Sequence, residues 1–235
     1  MVLTVIKNWD NKNWLSSKSY IKSFNNYLTK KINLNPESKI LDIGCGRGKI
    51  LGALSTKLKL KNKPLGIDIT SHKDKDKRIK FKKINASKFF QKNKIKFDLI
   101  LIKQTIHLLS FKEIKKLLNS SKKNLNKNGK IFIFTLDTNK NELPTFKLMK
   151  TKLMKSLKRD RKILKVIEKL FSHKKSKFTY QVNIKRRQYL NMIQKRYMSI
   201  LLSFSKNDIK AGMNEINHKY EYNMKFTDKL ICIIL

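Results

Sequence analysis

The residues best suited to chemistry lie in one short run, Ile40-Leu41-Asp42-Ile43-Gly44-Cys45-Gly46-Arg47-Gly48. Its apolar first half predicts a strand, and its glycines predict a tight turn into a helix. Glycine tolerates the backbone angles such a turn demands and lets the main chain come close to a bound molecule. Dinucleotide sites use the spacing G-x-G-x-x-G, with a pyrophosphate on the helix N-terminus. Here the spacing is G-x-G-x-G, and Lys49 stands where the third dinucleotide glycine would fall. That departure argues against NAD or FAD. Asp68 ends the next apolar run, Gly66-Ile67-Asp68-Ile69, one strand–helix unit later. An acid there can accept two hydrogen bonds from a ribose diol. Alone it would read as a helix cap; behind the glycine run it reads as a ribose ligand.

Those residues need a scaffold, and the hydrophobic pattern supplies one. A helix is expected over residues 12–31, with Trp14, Tyr20, Ile21, Phe24 and Leu28 near one face. Lys39–Ile43 is the first strand, and a helix with Ile50, Leu51, Leu54 and Leu58 inward follows the glycines. Further strands are expected over Pro64–Ile69, Arg78–Ile84, Phe97–Ile102 and Lys130–Leu136, with Ser71–Arg78 a polar loop. A helix spans Ser110–Leu125, and Asn128-Gly129 turns into the fifth strand. Strands alternating with helices imply a mostly parallel sheet, and apolar strands fit burial on both faces. Beyond the fifth strand the rhythm changes. Phe146–Phe171 reads as two short basic helices, Lys177–Ile184 as a strand and Arg186–Phe204 as one amphipathic helix. Ser205-Lys206-Asn207-Asp208 caps another helix reaching about Tyr220, and Phe226–Leu235 is a closing strand. With no repeat or linker, the expectation is one domain over residues 1–235: a ligand-binding half to about 136, then a helical lid and the last strands.

Leu41–Gly48 resembles the first motif of the class I, Rossmann-like S-adenosylmethionine-dependent methyltransferases, and Asp68 resembles their ribose acid. The resemblance runs from Lys39 to about Leu136 and is nearest to the small-molecule type 11 group. It implies an α/β fold: a Rossmann-like seven-stranded, mostly parallel sheet with an antiparallel last strand and helical decorations. It implies S-adenosyl-L-methionine as cofactor, with Asp42, Gly44, Cys45, Gly46, Asp68, Ile69, Asn85, Ala86 and Gln104 as its contacts. Asn85-Ala86 stands where members often carry an acid beside the adenine amine. In Lys103-Gln104-Thr105-Ile106-His107, Gln104 matches a cofactor-facing polar residue. His107 matches a nearby His that serves as general base or substrate anchor; packing at a helix start is the alternative reading. Arg186–Tyr197 resembles a lid segment. There Arg196, beside Tyr197, would grip a substrate carboxylate in a two-point fork, or else lie solvated beside a core helix. The expected activity is methyl transfer to a small molecule, with a carboxylic acid as the acceptor that fork suggests.

Composition frames the alternatives. The 235 residues include 56 Lys+Arg against 16 Asp+Glu, a formal charge of +40. Such a field attracts anions, and RNA is the alternative acceptor. Only seven of the basic residues are Arg, however, and Arg is the side chain that reads phosphates and bases. Lys, Asn and Ile are abundant together, as A/T-rich codons would make them. The D/N/S-P-P-Y/F/W motif of amino methyltransferases acting on DNA bases is absent after the fourth strand. Neither Cys45 nor Cys232 follows a Pro, as a cytosine-C5 nucleophile would. A non-catalytic cofactor-binding protein on the same fold is the remaining alternative. The cysteines form no metal or disulfide pattern. With no apolar run long enough to span a membrane and no leader in Met1–Asp10, a cytoplasmic protein is expected.

Overall fold

The computed structural model describes residues 13–235. The leader reading at Met1–Asp10, and the expected helix start at Lys12, lie outside them. The described elements are α1 (Lys18–Thr29), β1 (Ile40–Ile43), α2 (Lys49–Leu58), β2 (Leu65–Asp68), β3 (Lys80–Lys83), α3 (Ala86–Lys92), β4 (Phe97–Lys103), α4 (Phe111–Lys123), β5 (Leu125–Leu136), α5 (Lys147–Leu170), β6 (Lys174–Lys185), α6 (Arg186–Gln194), α7 (Lys206–Lys219) and β7 (Asn223–Ile234). The sheet has seven strands in the order β3-β2-β1-β4-β5-β7-β6. β3, β2, β1, β4 and β5 pair in parallel, and β7 runs antiparallel to β5. The parallel strands are those the alternating pattern implied, and the Rossmann-like sheet with an antiparallel strand is the one the resemblance implied.

The chain divides into two compact units. One comprises residues 21–136, 163–178 and 230–235 and carries β1 to β5. Every residue of β1 is buried, as is all of β4 except the half-buried Asp98. Asp98 is not left unpaired: its carboxylate accepts from the Lys39 amide at 2.7 Å and the Asn126 side chain at 2.6 Å. The core joins Leu41, Ile43, Ile67, Ile100, Ile102, Ile131 and Ile133 of the strands to Leu117 and Leu118 of α4. β3 lies at a sheet edge and carries Lys80, Lys82 and Lys83. Charged edges of this kind discourage pairing with another chain. The expected strand Arg78–Ile84 shortens to four residues there, because an edge strand gains ladder bonds on one side only.

The second unit comprises described residues 13–20, 137–162 and 179–229. Trp14, Tyr189, Tyr197 and Phe226 cluster there with ring centroids 5.3 to 6.3 Å apart, Trp14 and Tyr189 stacked and the other pairs edge to face. Trp14 Nε1 donates to the buried Asp228. Gly212 of α7 lets Phe146 close on the helix: a Cβ there would lie 2.5 Å from the ring.

Several elements depart from the sequence reading. Phe146–Phe171 forms one 24-residue helix, α5, instead of two. No Gly or Pro interrupts it, and Met149, Leu153, Leu157, Leu164 and Ile167 keep one unbroken buried stripe. The expected helix Arg186–Phe204 breaks after Gln194. Arg196 adopts φ 54, its amide reaches the Ile193 carbonyl and that of Tyr197 the Met192 carbonyl. Those two bonds make a Schellman stop, and a 3-10 turn over Ser199–Ser203 follows. The expected single helix before β1 is a 3-10 turn, Trp14–Ser16, and then α1. Asn128-Gly129 is a bulge inside β5 instead of its start: the register jumps from Phe97↔Leu125 to Leu99↔Lys130. Gly129 is required there, because a Cβ would sit 2.5 Å from the Phe97 carbonyl oxygen. The short helix α3 was missed, having only two turns of pattern to betray it.

Candidate active site

The run singled out in the sequence folds as a strand, a turn of three positive-φ glycines and a helix. Gly44, Gly46 and Gly48 have φ of 77, 54 and 70, angles that side chains bearing a Cβ rarely accept. The amides of Gly44 and Cys45 both donate to the Ile67 carbonyl, at 2.8 and 3.2 Å, which anchors the turn to the end of β2. Gly44 is also where β1 and the segment after β4 touch: a Cβ there would lie 2.2 Å from Thr105 Oγ1. Cys45 is buried, and an added Cβ at Gly66 would lie 2.7 Å from its sulfur.

Asp68 stands at the end of β2 with its carboxylate fixed. One oxygen accepts from the Gly46 amide and the other from the Thr70 amide, each at 2.9 Å. A carboxylate offers about four acceptor positions, so two remain for a ligand, and the group is already oriented. The next residue, Ile69, is 46% exposed. An exposed isoleucine beside a fixed acid suits a base stacked over it and a ribose diol hydrogen-bonded next to it.

The polar loop over residues 71–78, given no role by the sequence reading, braces this turn. The buried Arg47 sends Nε to both carboxylate oxygens of Asp74 at 2.8 Å. Burial pushes the Asp74 carboxyl up, and the guanidinium outweighs it, leaving the group below its ordinary range. Asp76 donates its amide to the Arg47 carbonyl and lies where a Cβ on Gly52 would be. Nothing in the linear pattern couples position 47 to position 74.

Asn85 is exposed and is the N-cap of α3: its side-chain oxygen accepts from the Ser87 amide at 2.8 Å. Its amide nitrogen is the end that the cap does not use. Ala86 begins α3, half-buried against the core. Gln104 follows β4 with φ 52, its amide bonded to the Phe134 carbonyl at 2.8 Å. A left-handed non-glycine residue carries strain on the order of 1–2 kcal/mol. His107 is half-buried in a 3-10 turn, Ile106–Leu108, three residues beyond Gln104.

In the other unit, Arg196 is the left-handed residue of the Schellman stop and donates to the Leu201 carbonyl. Tyr197 is 4% exposed, and its hydroxyl shares a 3.1 Å hydrogen bond with that of Tyr189.

Two further side chains lie at this end of the sheet. Asp42 and Lys103 are each 5% exposed. Burial pushes the Asp42 carboxyl up to about 7, against the pull of Lys103, and Asp68 adds to the rise.

Residues 41–131 match the model of the methyltransferase-domain family. That segment runs from β1, through the glycine turn and Asp68, into β5. Over that segment the chain is similar to the methyltransferase-domain family, and its fold is the Rossmann-like one of the S-adenosylmethionine-dependent methyltransferases that resemble it. No curated protein matches the chain by sequence. Solved methyltransferase structures resemble it in fold. One is a protein from Anabaena variabilis ATCC 29413 described as a methyltransferase of an antibiotic biosynthesis pathway. It has a TM-score of 0.64 and 13% identity, covering 89% of this chain and 95% of that one. A second is a methyltransferase from Geobacter sulfurreducens in complex with S-adenosyl-L-homocysteine, with a TM-score of 0.54, 13% identity and coverages of 93% and 91%. A third, the plantazolicin methyltransferase BamL in complex with a triazolic desmethylPZN analog and S-adenosylhomocysteine, has a TM-score of 0.53, 18% identity and coverages of 96% and 87%. At these identities the likeness establishes the methyltransferase fold.

Among the described residues, no helix of this chain is long and apolar enough to cross a membrane. Nor do its described His, Cys, Asp and Glu side chains gather into a group that could hold a metal ion.

Proposed function

We propose that this methyltransferase transfers the sulfonium methyl of S-adenosylmethionine to a small-molecule acceptor. The observation that carries the reading is the positive-φ glycine turn holding Gly46 against Asp68, with Ile69 exposed beside it. In this reading Gly44, Cys45 and Gly46 present main chain to the cofactor, and Asp68 takes the ribose diol. Ile69 carries the adenine face, Asn85 and Ala86 meet the adenine edge, and Gln104 turns toward the amino-acid end. The bound cofactor supplies a methyl already activated on sulfur, so the protein's task is alignment and exclusion of water. His107 removes the acceptor's proton where the acceptor is a hydroxyl or amine; a carboxylate or thioether acceptor needs no such base. A carboxylic acid is the class an Arg196 fork would take, using the guanidinium donors not spent on Leu201.

The neighbouring plantazolicin and Geobacter enzymes, crystallised with S-adenosylhomocysteine, support the cofactor. The test is calorimetric titration of nucleic-acid-free protein with S-adenosylmethionine, followed by turnover with small acids, amines and RNA. Micromolar cofactor binding with methylation of a small molecule is the expected result. Cofactor binding with RNA as the only acceptor would overturn the acceptor class, and no binding by folded protein would overturn the enzyme.

A further inference from the structure

A lysine-rich genome explains how many lysines this chain has, but not their arrangement on α5. Within the unit that holds Lys147 to Lys162, the helix buries Met149, Leu153 and Leu157. At 3.6 residues per turn, Lys147, Lys155, Lys158 and Lys162 fall on the opposite side, within an arc of about 80°. All four are exposed. Exposed apolar side chains border this stripe: Leu148, 47% exposed, on one flank and Met154, 57% exposed, on the other. Asp160 is the one acid in this stretch, and it is buried on the inner side. Other cations of the helix are spent on the protein. Lys152 donates to the Ser203 hydroxyl and lies 5.2 Å from the Phe204 ring centroid, and Arg161 donates to the Thr138 carbonyl at 2.8 Å. Among the described residues, Lys155, Lys158 and Lys162 enter no ion pair. Spacings of three and four residues make them neighbours, and like charges so placed weaken a helix. The stripe therefore costs helix stability and keeps a leucine and a methionine in water.

Both costs are removed by a partner that is anionic and has an apolar layer beneath its charges. We propose that this face of α5 docks on the surface of an anionic phospholipid bilayer, with the lysines among the phosphates and Leu148 and Met154 dipping into the headgroup region. A bilayer fits the face better than a nucleic acid does. Nucleic acid is gripped by Arg forks and stacked aromatics, and the stripe holds neither. On a lipid surface lysines act as point charges without fixed geometry, and aliphatic side chains gain from burial there. Docking by this face holds the protein on the membrane with no segment crossing it.

The experiment is co-sedimentation of nucleic-acid-free protein with vesicles of phosphatidylcholine containing about 30% phosphatidylglycerol, and with vesicles of phosphatidylcholine alone. Wild type should bind the anionic vesicles and leave the neutral ones, with binding that weakens as salt rises. Each lysine near such a surface is worth roughly fivefold in partitioning, so a variant combining Lys155→Gln, Lys158→Gln and Lys162→Gln should lose about a hundredfold. The same charge removed from the β3 edge, by Lys80→Gln, Lys82→Gln and Lys83→Gln, should change binding by no more than about threefold, because screening confines each charge to its neighbourhood. Equal losses in the two variants overturn the proposal, since the field of the whole chain then suffices. Wild type that ignores anionic vesicles also overturns it, and RNA binding lost with the α5 lysines in that case assigns the face to nucleic acid. A second readout leaves the lysines in place and stands even if the triple variant fails to fold. Met154→Cys carrying an environment-sensitive fluorophore, the two native cysteines being buried, should shift to the blue on anionic vesicles. An unshifted spectrum overturns the contact.

Discussion

At the scale of single residues, the candidate site is built from groups that the fold has fixed before any ligand arrives. Asp68 holds two main-chain amides and keeps two acceptor positions open. Asp68→Ala should therefore weaken S-adenosylmethionine binding by roughly tenfold or more, since hydrogen bonds to a charged group are worth about 1.5–3 kcal/mol. Calorimetry at matched ionic strength measures it, and an unchanged affinity would take Asp68 away from the ribose. Asp42 makes a prediction about pH. Its carboxyl titrates near 7 when folded, chiefly through burial, and near 4 when unfolded. Between those values the folded state binds the extra proton, so Asp42 subtracts stability as pH rises from about 4 to about 7. Asp42→Asn cannot ionise. Its stability should climb relative to wild type by on the order of 1 kcal/mol for each pH unit across that window, then run parallel above it. Urea unfolding of both proteins through the window checks this, and parallel curves throughout would refute it.

At the scale of elements, capping and backbone geometry decide where helices stop and start. α4 opens on a reciprocal box: Ser110 accepts from the Glu113 amide, and the Glu113 carboxylate accepts from the Ser110 amide at 2.7 Å. Ser110→Ala should cost about 1 kcal/mol, read as a lower urea midpoint with an unchanged slope. A midpoint within error of wild type would mean that packing of Ile114, Leu117 and Leu118 alone sets this helix. α7 repeats the device with Ser205 and Asp208, and that start was legible because the polar pair stands at fixed spacing ahead of an apolar stripe. The end of α6 was not. Its signal is normally a glycine, and here Arg196 occupies the left-handed position.

At the scale of the whole molecule, charge is the dominant fact. A formal +40 on 235 residues makes the compact state repel itself. Added salt shortens the range of that repulsion, to about 10 Å at 0.1 M. The melting temperature should accordingly rise by several degrees between about 0.02 and 0.5 M sodium chloride in differential scanning fluorimetry. A flat or falling curve would mean that the lysines are compensated locally, beyond the ion pairs formed by Lys61, Lys175 and Lys229.

The sequence by itself determined the strand–turn–helix around Gly44, the acid at Asp68, the parallel alternation from β1 to β5 and a closing strand, all of which follow from local periodicity or from residue types with few conformational options. The antiparallel direction of that closing strand was implied by the family resemblance alone. Tertiary structure decided the rest, because the causes are distant in the chain. Arg47 finds Asp74 across a loop, Gly44 must be glycine because of Thr105, and Gly129 because of the Phe97 carbonyl. Lys103, one lysine among 49, differs from the others only through the register that faces it with Asp42, a relation that exists in the sheet and in no stretch of sequence.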